Sequence, residues 1–210
     1  MEGLKKLDKL WNHGDPSHTF IRGAERLGRA FRILKNANVF HHQSFVIPNY
    51  GEYGSAAWMN FNNIAIDGSM GDLDCGSKIN PESGYVWWQR QEAFGSALMY
   101  LMFVHRTHPE LLSDKGFLNK YFKSWKKGIG NDYTQEMMEC YRDRDTFTDV
   151  VGAIDTFSRW YSSPADTKPG GSRNTIGWLN YLQDKAKDIW IPSANAVIKT
   201  VRENREIVGI

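Results

Sequence analysis

Several stretches of the chain read as helices from the placing of their apolar residues. After Asp15-Pro16, residues Phe20, Ala24, Leu27, Phe31 and Leu34 recur at intervals of four and three, while Arg22, Arg26, Arg29 and Arg32 fall off that stripe. Asp caps free helix amides and Pro fits the first helical position, so an amphipathic helix is predicted from Pro16 to about Asn36. The second stretch opens with Trp87-Trp88 and ends in twelve residues, Ala93 to Val104, without a formal charge. A helix apolar on every side has no place on the surface of a small globule, so a long central helix is predicted. It is expected to start near Pro81 behind an Asn80 cap. His108-Pro109 closes it, because a proline disfavours helical geometry in the residue before it. Its apolar run is shorter than the roughly 18 residues of a membrane span. Its cover is then either the chain's own core or a partner protein or lipid surface.

From Asp114 to Ile129, Phe117, Leu118, Tyr121, Phe122 and Trp125 form one face, with Lys115, Lys120, Lys123, Lys126 and Lys127 elsewhere: a basic amphipathic helix. Asp132 to Trp160 follows with seven acids against three arginines, and antiparallel pairing of the two segments by complementary charge is expected. Asp132 with Gln135 reads as a capping box. Near the C-terminus, Asn174 is expected to cap a helix containing Leu179, Leu182, Ile189 and Trp190 that Pro192 stops. Ser193 then caps a last helix with Val197, Ile198 and Val201.

Residues 37–80 differ: Phe45-Val46-Ile47-Pro48 and Trp58 to Ile66 read as extended, with Gly, Asn and Asp between them. The expected fold is mainly α, with about six helices around a long central apolar helix and an extended, loop-rich segment that holds short strands. Along the chain this gives a basic amphipathic N-terminal helical arm (1–36), the extended segment (37–80) and a helical core (81–161). A loop (162–173) and a C-terminal helix pair (174–210) complete it.

Composition narrows the class. Of 210 residues, 41% are hydrophobic and 13% aromatic, with eight Trp, which marks a folded chain. A net charge of +2 excludes dedicated nucleic-acid binding. Residues 1–36 hold eight Lys or Arg against four acids. That arm resembles a mitochondrial targeting segment, although Glu2, Asp8, Asp15 and Glu25 are more acid than such segments carry. The alternative is a helix packed on the core or on a partner with its arginines solvated. No secretory signal is visible, and Cys75 and Cys140 form neither a CxxC pair nor a disulfide framework. An intracellular setting is expected, mitochondrial or attached to a membrane complex.

Candidate chemistry is sparse. Asp67, Asp72 and Asp74 share a Gly-rich loop, but an EF-hand starting at Asp72 needs an oxygen ligand where Gly76 sits and a Glu where Ser83 sits. Turn formation by Asp and Gly accounts for the loop. His105 and His108, and Glu136 and Glu139, are spaced by three. A di-iron site needs Glu followed three residues later by His, and Glu139 is followed there by Arg142. Histidines at a helix end interacting with terminal carbonyls explain the first pair. His41-His42 has no carboxylate or cysteine at ligand spacing. Nucleophile-elbow, phosphate-loop and dinucleotide signatures are missing, so neither metal nor cofactor is expected.

One local likeness remains. Trp87-Trp88-Gln89-Arg90-Gln91-Glu92-Ala93, followed by an apolar helix and Phe117-Leu118 to Trp125, resembles the WWxxxEA helix pair of N-acylglucosamine and cellobiose 2-epimerases. That family forms helical barrels in which the motif's aromatic and acidic residues face a sugar cavity. The resemblance implies a glycan site with Trp87 and Trp88 stacking on a sugar and Glu92 as the catalytic carboxylate; in an enzyme of this kind Asp72 or Asp74 would be the candidates for a second carboxylate. The chain is shorter than such a barrel and has no counterpart of the family's C-terminal catalytic histidine.

Two functions therefore stand side by side. The favoured one is a non-enzymatic structural or accessory subunit of a large assembly, an organellar membrane complex or a viral particle. Its other subunits, or an anionic lipid, would meet Arg22, Arg26, Arg29, Lys120, Lys123 and Lys127. The alternative is a carbohydrate-active enzyme or glycan-binding protein built on Trp87, Trp88 and Glu92.

Overall fold

The computed structural model describes residues 15–41, 45–46, 58–59, 64–71, 76–80, 82, 85–135 and 190–209. Helix accounts for 77% of them, so the fold is mainly α as expected. The element order is α1 (Pro16–Asn36), β1 (Val39–Phe40), β2 (Phe45–Val46), β3 (Trp58–Met59), β4 (Ser77–Lys78) and α2 (Tyr85–Thr107). A 3₁₀ turn (Pro109–Ser113), α3 (Lys115–Ile129), a helical start at 131–135, α4 (Trp190–Glu203) and α5 (Arg205–Val208) follow. No helix among the described residues is long and apolar enough to cross a membrane.

Helix α1 begins where Asp15 accepts a hydrogen bond from the Ser17 amide, and its five stripe residues are buried. Residues 16–36 thus belong to the same core as the central helix. In α2, Phe94 and the run from Ala97 to Met102 are buried almost completely. The cover comes from the chain itself: α1, α4, the 3₁₀ turn and β2 pack on α2. The all-round apolar character of α2 is therefore satisfied internally and does not by itself call for an outside surface. Tyr121 of α3 donates a hydrogen bond of 2.7 Å to the Ala97 carbonyl and stacks on Tyr100 with ring centres 6.2 Å apart. Burial pushes both phenols well above their ordinary pKa.

Helices α1 and α3 meet in backbone contact. A Cβ on Gly28 would overlap the Trp125 carbonyl and stand 2.8 Å from the Ile129 amide nitrogen. One on Gly128 would overlap the Glu25 carbonyl and stand 3.0 Å from the Arg29 nitrogen. Arg32 fastens the crossing, donating to the Ile129 carbonyl at 3.1 Å and pairing with Asp132.

The extended segment forms two antiparallel ladders, β1 with β4 and β2 with β3, each two residues per strand. A tight turn joined by the Ile64–Met70 bridge lies against α1 and α2. Gly68 adopts φ +77° there, and its Cα faces the Gly23 carbonyl so closely that no side chain fits. Asp67 accepts hydrogen bonds from the Ser69 amide and hydroxyl, which is the turn chemistry expected of this loop. Asp72 and Asp74 lie outside the described residues.

Four expectations are corrected. Helix α2 is found over Tyr85–Thr107 and does not start near Pro81: Asn80 accepts from the Glu82 amide, and Glu82 lies in a local turn instead of a first helical turn. Asp132 is no cap, because the helix it belongs to starts at residue 131 and Thr134 donates to the Gly130 carbonyl; Arg32 and Lys35 take its carboxylate instead. Pro192 does not stop a helix, and Ser193 does not cap one. Both lie inside α4 as described, which runs from Trp190 through Pro192 and Ser193 to Glu203. The acidic partner expected for α3 falls at 136–160, outside the described residues, as does the helix at 174–189.

Ser193 instead meets His105, whose Nδ1 lies 2.9 Å from the serine oxygen in a hydrogen bond that ties α2 to α4. Burial lowers the His105 pKa from its ordinary 6.5. A lowered histidine pKa means that the unfolded chain takes up the proton first as pH falls, so stability is lost downward from 6.5 to the folded value. Thermal melts across that window are expected to fall more steeply for the wild type than for His105→Gln. Parallel slopes would place His105 in water.

Candidate functional site

Three places in the described structure carry polar chemistry. The first is buried. Gln89 and Glu92 stand three apart on α2, and the chain leaving α1 runs past them through β1. Gln89 donates to the Val39 carbonyl at 2.6 Å, and two residues on His41 Nδ1 lies 3.3 Å from Glu92 Oε1. Both side chains of this pair are 0% exposed. For the contact to be a hydrogen bond to a carboxylate, Nδ1 must carry the proton. A histidine–carboxylate pair is the unit that general acid–base chemistry uses. Here it is sealed from water, so it acts as a clamp between the extended segment and the central helix. The sequence assigned nothing to His41, and nothing in the residues around it marks a partner so distant along the chain.

The second lies on the outward face of α1. Thr19, Arg22, Arg26, Arg29 and Ile33 follow one another at spacings of three and four, which aligns them on one side of the helix. A cleft of about 550 Å³ runs beside them, with His18 at one end and Asp67 across from Arg26. Arg26 pairs with Asp67 and Arg29 with Glu25. Burial alone would push the Glu25 carboxyl up, but hydrogen bonds from Lys127 and Arg29 outweigh it and hold the group below the usual carboxylate range. The Ser69 hydrogen bonds do the same for Asp67 against its partial burial. Ile33 is 67% exposed, the large hydrophobic that stands out on the described surface.

The third lies on α3. Lys123, Lys126 and Lys127 line a cleft of about 590 Å³ together with Asn119, Asn131 and Ile207. Lys127 reaches back to Glu25 at 3.2 Å and so joins this cleft to the arginine face. Lys120 is exposed outside the cleft, where its charge helps keep the Asp15 carboxyl low after the two Ser17 hydrogen bonds. The six cations expected to meet a partner thus divide: three on the α1 face, two in the lysine cleft and Lys120 apart.

Trp87 and Trp88 fall in the first turn of α2, but their side chains lie outside the described residues, as do Glu136, Glu139, Cys75 and Cys140. No group of three metal-ligating side chains occurs among the described residues. Compared with known protein families, curated proteins and solved structures, the chain matches none.

Proposed function

We propose that the protein is a non-enzymatic accessory subunit that docks onto another protein of a larger assembly through the outward face of α1. The observation that carries this reading is the alignment of Arg22, Arg26 and Arg29 with the exposed Ile33 on one side of that helix. Arginine and exposed apolar side chains are enriched where proteins meet, and charged rims steer partners of opposite sign. The fit is to an acidic partner surface with an apolar centre. The glycan alternative is weakened by Glu92, whose carboxylate is fully buried against His41 and has no route to a sugar.

The reading is tested in a gentle extract of the native source, separated by size with and without mild detergent. The wild-type chain is expected in a particle far above its own 24.1 kDa, with constant companions. Detergent dependence assigns the assembly to a membrane; indifference assigns it to a soluble particle such as a virion. Arg22→Glu with Ile33→Asp alters two exposed side chains and should release the chain to 24.1 kDa at an unchanged melting temperature. Migration of the wild type near its own mass defeats the reading, and retention of the double variant moves the contact off α1.

A further inference from the structure

The lysine cleft has chemistry that protein docking does not use. Lysine is depleted where proteins meet, whereas a compact ammonium is a point charge well suited to phosphate. Lys123, Lys126 and Lys127 converge there with the side chains of Asn119 and Asn131, which add neutral donors, and among the described residues no carboxylate belongs to the lining. Glu25 engages Lys127 from outside it. Neither Lys123 nor Lys126 forms an ion pair among the described residues. Lys126 is half-buried with its ammonium set against Gly209, just past the end of α5. Loss of water there lowers its pKa, and no neighbouring charge offsets that loss. An ammonium removed from water without a counter-ion is costly, and a bound anion relieves the cost.

We propose that the cleft between α3 and α5 binds a phosphate-bearing anion, with Lys123, Lys126 and Lys127 neutralising its charge and Asn119 and Asn131 donating to its oxygens. Two features set the class. The cleft, at about 590 Å³, is large enough for a small phosphate ester, and its lining is mostly exposed, so the anion would rest in an open groove. Three positive charges with one of them half-desolvated match a group of two or more negative charges better than a single carboxylate, which arginine's planar fork would favour. Ile207 gives the cleft one apolar wall, against which the organic part of a phosphate ester can rest. The phosphate has two chemical sources, a free phosphate ester or a lipid headgroup. The site does not depend on the assembly reading, because Lys123, Lys126, Lys127, Asn119 and Asn131 all belong to one chain.

Calorimetric titration of the full chain with inorganic pyrophosphate, and sedimentation with phosphatidylcholine vesicles with and without phosphatidic acid, separate the sources. Lys123→Gln with Lys126→Gln is the test variant, and Lys115→Gln, exposed at the start of α3 away from the cleft, is the control. Pyrophosphate is expected to bind the wild type and the control alike and the test variant about tenfold more weakly or less, as loss of charge-assisted hydrogen bonds requires. Removing an unpaired, half-buried charge should leave the melting temperature of the test variant unchanged or raised. Lys123→Gln alone, at an exposed position, gives the same direction should the double variant not fold. Binding confined to phosphatidic acid vesicles, and lost with the two lysines, keeps the site and names a headgroup as its ligand. No binding to either probe, or binding that survives loss of both lysines, overturns the proposal.

Discussion

His41→Ala is expected to destabilise the fold by about 3–5 kcal/mol, because it removes the imidazole that faces the buried Glu92 carboxylate. For a chain of this size that corresponds to a fall in melting temperature of about 10 °C or more. Glu92→Ala should cost a similar amount. The double replacement His41→Leu with Glu92→Met puts apolar groups of similar volume in place of the pair. Such exchanges are often neutral, so it should recover more than half of the loss, with a large coupling in the double-mutant cycle. Chemical denaturation measures all three. Single variants that lose less than about 1 kcal/mol would show the pair to be solvated, since exposed pairs contribute no more than that. The same experiment bears on the sugar reading, in which Glu92→Gln abolishes a turnover and leaves stability nearly untouched.

The second large effect sits at the α1–α3 crossing. Gly28→Ala adds a methyl group where the Trp125 carbonyl and Ile129 amide already touch the glycine. Both obstacles are backbone, so neither can rotate away, and forced overlap of this kind costs about 3 kcal/mol. The better helix propensity of alanine returns about 1 kcal/mol, leaving a net loss of about 2 kcal/mol. Gly28→Val adds more bulk and a poorer helix former, so its loss should exceed that of alanine. Gly71 provides the contrast: a Cβ there meets nothing within 4 Å, and Gly71→Ala should leave stability unchanged or raise it by up to about 1 kcal/mol. Equal effects at Gly28 and Gly71 would mean that the two helices do not touch through their backbones.

The helices whose ends are set by local chemistry were the legible part of this fold. Asp15-Pro16, His108-Pro109 and Asp114 act within a turn of themselves, and the structure places helix ends at each. Misreadings arose where the same residue types serve a different backbone position. Pro192 reads as a stop, yet the described helix runs through it from Trp190 to Glu203, and residue type alone does not tell the two cases apart. Asp132 looked like a cap because its competing partner, Arg32, belongs to a helix about a hundred positions earlier. The cations of α1 and α3 were legible as off-stripe residues, but not that Lys127 and Arg29 would share Glu25. His41 and Glu92 were unreadable as a pair, since neither periodicity nor spacing carries information about which loop residue a helix will meet. The glycine crossing left no trace for a similar reason: a missing side chain has no pattern until its neighbour is known.

The intimacy of α1 and α3 also sets an order in time. Helix α1 is synthesised first, and at about 5–20 residues per second α3 follows on the order of ten seconds later. Throughout that interval the flat surface at Gly28 has nothing to pack against, because the helix that covers it does not yet exist. Nascent chains at this stage are natural clients for chaperones that hold apolar segments. Any product cut short before residue 115 keeps α1 permanently in that condition, which makes premature termination a hazard out of proportion to the length of chain lost.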